Sequence, residues 1–373
     1  MSKSDNNSKL LKIMSWPIRL PGSYFTGFLM INHPPVEGGC EFGWGKPYDN
    51  RDDDFLLSLC DYFENRLEKE NIESGTAGSF IWDPIIKTHA EFIELLKERN
   101  CEKLHEYLRM MFTKSITLGH AQGDYYYNRL QKNEDEIQKN TGFGIYDRFI
   151  SLLEANGLIP AFSPESYQQS SEWLKYYSVP MDKYLSELEK HIDCNIHAPK
   201  YQGGHFGIQT ESHGLFSDRD IMAFGVAIRI MEIYWNKKDI SICDIGSGLG
   251  YLPFYLKQLG FNNITHIDVP TVTVAAKYFM YSNMPDFNLK YIIPKEFDGK
   301  YDLVVNVDGL TQFPKKDAEE YANKISEKSK HFLSINREID DFRTMDILDM
   351  NRISRNPFWY RRGYIEESYV AHI

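Results

Sequence analysis

The chain has little of several things that would settle its class at once. It holds five cysteines in 373 residues (Cys40, Cys60, Cys101, Cys194 and Cys243), odd in number, scattered and without a C-x-x-C pair. That excludes a disulfide framework and reads as reduced thiols in a cytoplasmic protein. No apolar run approaches the roughly 20 residues needed to span a bilayer. Positive charge is scarce, with 42 Lys and Arg against 53 Asp and Glu for a net charge of -11. Affinity for a phosphate backbone needs a basic face, so a general nucleic-acid binder is disfavoured. The opening Met1–Ser8 is polar and has no apolar stretch of the kind a signal peptide carries; disorder is expected through residue 12. No internal repeat is visible.

What is present is concentrated in one stretch. Ile240-Ser241-Ile242-Cys243-Asp244-Ile245 is a short β-branched apolar run, the pattern of a buried strand. It breaks into three alternate glycines, Gly246, Gly248 and Gly250, and resumes as a helical pattern from Tyr251 to Leu259. Pro253 fits the first turn of that helix and Gly260 its end. Strand, glycine loop and helix start make a nucleotide-binding corner, where the backbone can be approached closely and free N–H groups face a ligand. Dinucleotide folds space these glycines as G-x-G-x-x-G around a pyrophosphate. Here the third glycine comes one place early and Asp244 precedes the first, so a nicotinamide-dependent oxidoreductase is disfavoured. A second short strand ends in Asp268, placed where a doubly wound sheet meets a ribose. Further strands are expected at 289–293, 301–308 and 331–336. Strands alternating with helical patterns predict a parallel α/β sheet.

The D-x-G-x-G-x-G pattern resembles motif I of the class I S-adenosylmethionine-dependent methyltransferases. That resemblance implies a Rossmann-like, doubly wound, mostly parallel seven-stranded sheet and S-adenosyl-L-methionine as cofactor. An acidic residue can pair with the ammonium of its methionine moiety. The expected cofactor set is Asp244, Gly246, Ser247, Gly248, Gly250, Asp268 and Val269, with Asn306 at the edge of the fourth strand and Gln209 in the segment before the core. Ile267-Asp268-Val269-Pro270-Thr271, Asn306-Val307-Asp308-Gly309-Leu310-Thr311-Gln312-Phe313, Phe332-Leu333-Ser334-Ile335-Asn336-Arg337 and Arg361-Arg362-Gly363-Tyr364 resemble the sugar O-methyltransferase family. This covers the second half of the chain. It implies a sugar hydroxyl on a nucleotide sugar, glycan precursor or glycosylated natural product as acceptor. A peptide or small natural-product acceptor, and a cofactor-binding regulatory protein without turnover, stand as alternatives, and a homodimer is left open.

The domain boundary is expected near Lys200, with a helical substrate-binding cap in 1–200 and the cofactor-binding domain in 201–373. The spacing predicts helices over Asp54–Glu70, from Asp83-Pro84 to Leu96, over Glu102–Ile116, Gly144–Gly157, Met181–Ile192 and Thr344–Ile353. A capping box at Ser217 and Asp220 opens a further helix through Trp235. The glycine-studded segment from Gly203 to His213 reads as a mobile linker over the cofactor mouth.

Methyl transfer to a hydroxyl needs a group to take the proton, and histidine suits working pH. His213 is the expected base with Asp308 as partner, and His205 and His120 are further candidates. Asp308 reads equally as a cap of its following turn. Arg337, Tyr126 and Arg361 are the expected substrate contacts. No resident metal is expected, although Asp308, Glu338 and Asp340 would supply carboxylates to one. His191-x-x-Cys194-x-x-His197 has ligand residue types but no fourth ligand.

Overall fold

The structure is a computed structural model that describes residues 39–67, 82–132, 136–161, 175–235, 237–338, 341–361 and 363–372. The tail at 1–12, Asp340 and Arg362 lie outside these residues.

The first half is mainly helical. Helix α1 (Asp53–Leu67) carries two acids in its first turn and buries Leu56, Leu59, Cys60 and Phe63, the i, i+3, i+4, i+7 stripe of one face. The expected helix from Asp83 to Leu96 is two, α2 (Trp82–Ile86) and α3 (Ala90–Glu98), separated by a 3-10 turn at Lys87–His89. Helix α4 (Cys101–Arg109) is N-capped by Asn100, whose side chain accepts from the Lys103 amide. It does not continue to Ile116. Gly45 and Gly203 pack against its last carbonyl so tightly that a Cβ on Gly203 would stand 1.7 Å from Arg109 O. The chain turns there through two 3-10 turns, and Gly123 at φ 66° opens α5 (Gly123–Lys132). Helices α6 (Glu136–Ala155) and α7 (Met181–Ile192) follow.

The expected mobile linker is instead packed structure. Strands β1 (Cys40–Phe42), β2 (Phe206–Gln209) and β3 (Leu215–Phe216) form an antiparallel sheet in that order. Gln202, His205, Thr210 and His213 are all buried around it. The glycines that suggested freedom serve close approach: a Cβ on Gly207 would meet Phe216 O at 2.6 Å.

Helix α8 (Asp218–Ile233) opens with the expected capping box and leads into the main sheet. In chain order this is β4 (Ile242–Ile245), α9 (Tyr251–Gln258), β5 (Ile264–Ile267), α10 (Pro270–Asn283), β6 (Lys290–Ile292), β7 (Tyr301–Val307), α11 (Lys315–Lys328) and β8 (Ser329–Arg337). A short α12 (Thr344–Ile347) precedes β9 (Asn351–Pro357) and β10 (Tyr364–Val370). The helix expected over Thr344–Ile353 stops early because Asn351 onward pairs with β10. Strand order is β6-β5-β4-β7-β8-β10-β9. The first five run parallel, and β10 is antiparallel to both neighbours. The sheet is therefore mixed, seven-stranded and mostly parallel. From β4 the chain winds outward through β5 and β6, then returns to start β7 and β8 on the other side. That reversal opens a crevice at the carboxyl ends of β4 and β7.

One apolar cluster runs from Leu56 and Phe92 through Tyr146 and Leu185 to Tyr255, Phe279 and Leu333. The boundary expected near Lys200 thus divides two parts that share a core. No helix among the described residues is long and apolar enough to cross a membrane.

Candidate active-site cleft

The glycine loop is pinned from the neighbouring strand. Gly246 N–H and Ser247 N–H both donate to Ile267 O, at 2.9 and 3.2 Å. Gly248 is held on both sides: its N–H donates to Asp268 Oδ2 at 2.8 Å, and its carbonyl lies 3.0 Å from His266 Nε2. Burial pushes the His266 pKa down to about 4, so the ring is neutral near pH 7 and donates to that carbonyl. The N–H groups of Gly246, Ser247 and Gly248 are thereby spent inside the corner, contrary to the simple expectation of a row of free amides. All three glycines have positive φ, at 68°, 58° and 87°. A Cβ on Gly248 would point into the space before His120, 3.6 Å from Nδ1. His266 is a positioning residue that sequence reading passed over; its signal was its place two residues before Asp268.

Around this loop lies a cleft lined by Asp244, Gly246, Ser247, Gly248, Asp268 and Val269 on one side. Gly250 caps the start of α9 beneath it. Asp244 is 3% exposed, and its described hydrogen-bond partner is the Ser247 hydroxyl, at 2.6 Å. Burial, with Asp268 nearby, pushes its pKa up to about 7. A buried carboxyl with a hydroxyl as donor is a ready partner for a ligand cation. Asp268 is half-buried, and its carboxylate also accepts from Val269 N–H at 2.8 Å.

The opposite wall comes from Gly119 and His120 before α5, from Arg219, Met222, Ala223 and Val226 on one face of α8, and from Val307 at the end of β7 with Asp308 and Phe313 beyond it. Asp308 stands at φ 52°, in the left-handed region that non-glycine residues seldom adopt. Its N–H donates to Ile335 O at 2.8 Å, and Gln312 Nε2 donates to its backbone carbonyl and to Oδ1, both at 2.6 Å. These bonds fix a strained backbone beside the cleft, the usual setting of a functional residue. They also show Asp308 holding its following turn, as one of its two sequence readings has it. His120 is half-buried, and desolvation with the nearby His89, Arg219 and His266 brings its pKa down to about 3.

Several predicted site residues lie elsewhere. His213 does not line the cleft. Its Nδ1 is 2.6 Å from Asp182 Oδ1 and its Nε2 3.3 Å from Glu189 Oε2, which ties the segment after β2 to α7. His205 is also outside: it stacks on Phe112 at 4.2 Å, and its Nδ1 is 2.9 Å from the Tyr251 hydroxyl. Gln209 is in β2, donating to Thr210 O, and does not face the cleft. Asn306 is fully buried, and its amide is spent: Nδ2 donates to Ile245 O, while Oδ1 accepts from Leu310 N and Asn336 Nδ2. It braces the floor under Gly246 instead of meeting a ligand. None of the expected substrate contacts lines the cleft: Arg361 lies within electrostatic range of Asp308 and of Tyr126, and Arg337 ends β8 opposite Tyr364. Glu338, offered as a metal carboxylate, is paired with Arg355 at 2.5 Å. Among the described residues no cluster of three or more His, Cys, Asp or Glu could hold a metal.

Sheet order, switch-point crevice and pinned glycine loop together define a Rossmann-like architecture with a ligand cleft. No protein-family model matches the chain, and no curated protein sequence matches it. Among solved structures it is similar to the magnesium protoporphyrin IX methyltransferase of Synechocystis PCC 6803 with bound SAM. That match covers 42% of this chain and 80% of the other, at 16% identity and a TM-score of 0.36. A glycopeptide N-methyltransferase complexed with S-adenosyl-L-homocysteine matches 39% of this chain and 89% of its own, at 12% identity and TM-score 0.34. An O-methyltransferase family protein from Burkholderia thailandensis matches 41% and 59%, at 15% identity and TM-score 0.31.

Proposed function

We propose that the protein is an S-adenosylmethionine-dependent O-methyltransferase acting on a sugar hydroxyl. The observation that carries this reading is the glycine loop at the switch point, with Gly248 held by Asp268 and His266 and a buried carboxyl, Asp244, directly beneath. The donor set suits the cofactor. Asp244 meets the ammonium of the methionine moiety. Arg219, which has no hydrogen bond or ion pair with another described residue, supplies the countercharge for its carboxylate. Asp268 lines the cleft at the strand end where ribose hydroxyls would lie, with Val269 beside it.

When bound, the cofactor supplies an electrophilic methyl on a sulfonium. The chain's own residues then orient the acceptor, exclude water and take the hydroxyl proton. Of the four histidine and aspartate candidates, only Asp308 and His120 line the cleft. A neutral histidine with its pKa near 3 is a weak base, so His120 acts as a wall beside Gly248. Asp308 receives the hydroxyl hydrogen at Oδ, its backbone fixed by Ile335 and Gln312. The sugar acceptor rests on the sequence motifs around Asp268, Asp308, Arg337 and Arg361. The mainly helical region before Lys200, whose turn ahead of α5 contributes Gly119 and His120 to the cleft, acts as the acceptor cap. The test is calorimetric titration with S-adenosylhomocysteine, followed by mass measurement of a sugar panel incubated with S-adenosylmethionine. Absence of binding sinks the reading; binding with transfer only to amines or peptides sinks its acceptor.

A further inference from the structure

Helix α8 turns two stripes to two different neighbours. Arg219, Met222, Ala223 and Val226, spaced i, i+3, i+4 and i+7, line the cleft. Asp218, Gly225 and Arg229, spaced i, i+7 and i+11, share a second stripe about a quarter-turn round the helix. The chain before and within β10 grips that second stripe at each position. The Tyr360 hydroxyl donates to Asp218 O at 3.2 Å. The Trp359 indole fills the notch at Gly225, where a Cβ would stand 2.2 Å from Cζ2 and 3.0 Å from Cη2. Arg229 Nε donates to Glu366 Oε1 at 2.9 Å. Helix α6 braces the grip. Arg148 pairs with Asp218, and its guanidinium lies 4.8 Å from the centre of the Tyr360 ring. Leu152 Cδ1 closes the other side of the notch, 3.1 Å from the same Cβ position. Glycine is a poor residue for a helix interior, and here its missing Cβ is what seats the indole.

Resting on the methyltransferase reading, we infer that Trp359 is a positioning residue. Seated on Gly225, it sets how closely the cleft face of α8 stands to the glycine loop, and so where the Arg219 guanidinium meets the cofactor's carboxylate. That pairing is directional, because a planar fork must meet two oxygens at once. Gly225 lies within two turns of Arg219 on one helix, and close-packed elements pass a displacement on instead of absorbing it.

The experiment uses the full chain at a temperature well below its melt. S-adenosylhomocysteine is titrated calorimetrically beside 5′-methylthioadenosine, which keeps the adenosine and thioether but has no amino-acid end. G225A crowds the indole and should weaken S-adenosylhomocysteine about tenfold, as loss of one charge-assisted pair does. Affinity for 5′-methylthioadenosine should change by no more than about twofold. G225A/W359L makes room for the added methyl and should recover most of the loss. R219Q should remove the same preference by itself, and G225A should then add nothing, as expected of two changes acting through one contact. A residue that only supports the fold would lower the melting temperature and move both ligands alike. If G225A does not melt cooperatively, W359L alone takes its place, and the emptied notch should weaken S-adenosylhomocysteine about threefold while sparing 5′-methylthioadenosine. The inference is overturned if the ratio of the two affinities keeps its parent value in the variant used, or if G225A and R219Q prove additive. Failure of the parent protein to bind S-adenosylhomocysteine removes the methyltransferase reading and this inference with it; binding with an unchanged ratio removes the inference alone.

Discussion

The two sides of the cleft are built in opposite ways. On the cofactor side, Asp244, the three glycines, His266, Asp268 and Val269 fall within one strand-loop-helix-strand unit, and their hydrogen bonds stay inside it. On the side proposed for the acceptor, Gly119 and His120, Arg219 and Met222, and Asp308 and Phe313 come from three separate segments, brought together only by tertiary packing. A site made of contiguous residues writes a spacing into the chain. A site made by tertiary packing writes none, and its members look like isolated polar residues until the fold is known.

The sharpest way to break the comparison is Gly248→Val. A β-branched residue at φ 58° is strained, and its side chain would fill the space before His120. Calorimetry should show S-adenosylhomocysteine binding lost altogether. Unchanged affinity would mean the loop is not the cofactor site, and the contrast between the two sides would collapse.

Next in size is Asp308→Asn, which tests the acceptor side alone. The amide keeps the Gln312 contact approximately but cannot receive a proton. Turnover should fall by roughly a hundredfold or more, in the range of a lost general base. Affinity for S-adenosylhomocysteine should stay within about twofold, because the residues pinning Gly248 are untouched. Equal losses in both measurements would show that the two sides are one unit.

The same contrast explains what could be read from the chain. The strand ending at Asp244, the glycine loop and the strand ending at Asp268 were legible because hydrophobic run, glycine spacing and terminal carboxylate are all local. The capping box at Ser217 was legible for the same reason. His213 was misread. Its position before α8 suggested the cleft, but Asp182 and Glu189 on α7 claim its ring, and their nearness is a tertiary fact. Glycines at 203, 204 and 207 suggested mobility, whereas they give room to the Arg109 backbone, the Thr113 side chain and the Phe216 backbone. Asn306 had the right strand edge but the wrong direction, since its amide is consumed by Ile245, Leu310 and Asn336.

A smaller effect is expected from pH, again confined to the cofactor side. Burial raises the Asp244 pKa from 3.8 to about 7, so the unliganded site carries a proton below that pH. An ammonium needs the carboxylate ionised. Affinity for S-adenosylhomocysteine should therefore decline as pH drops below about 7, approaching tenfold per unit, with a proton released on binding. Because the folded pKa lies above the unfolded one, the group's contribution to stability is fully present below about pH 4. It is lost as pH rises through about 7. Asp244→Asn should flatten both profiles, as calorimetry in buffers of different ionisation heat and melting at several pH values would reveal. A binding profile that stays pH-dependent in that variant would assign the titration to another group.

The smallest effect on chemistry belongs to His213→Ala, which separates packing from catalysis most cleanly. The ring contacts Asp182 and Glu189, while Asp182 also accepts from the Glu211 and Ser212 amides and the Ser212 hydroxyl. Removing the imidazole leaves those bonds in place but opens a gap and strips one partner from each carboxylate. Loss of a partly buried, charge-assisted pair costs about 1–3 kcal/mol, so the melting temperature should fall by several degrees. Cofactor affinity and turnover at a temperature well below the melt should match the parent, since no atom of His213 lines the cleft. Glu189→Gln should produce a smaller fall in melting temperature and likewise spare turnover. A large loss of turnover in a folded His213→Ala protein, with a changed pH profile, would place this histidine back among the groups that serve the reaction and would require α7 to approach the cleft during turnover.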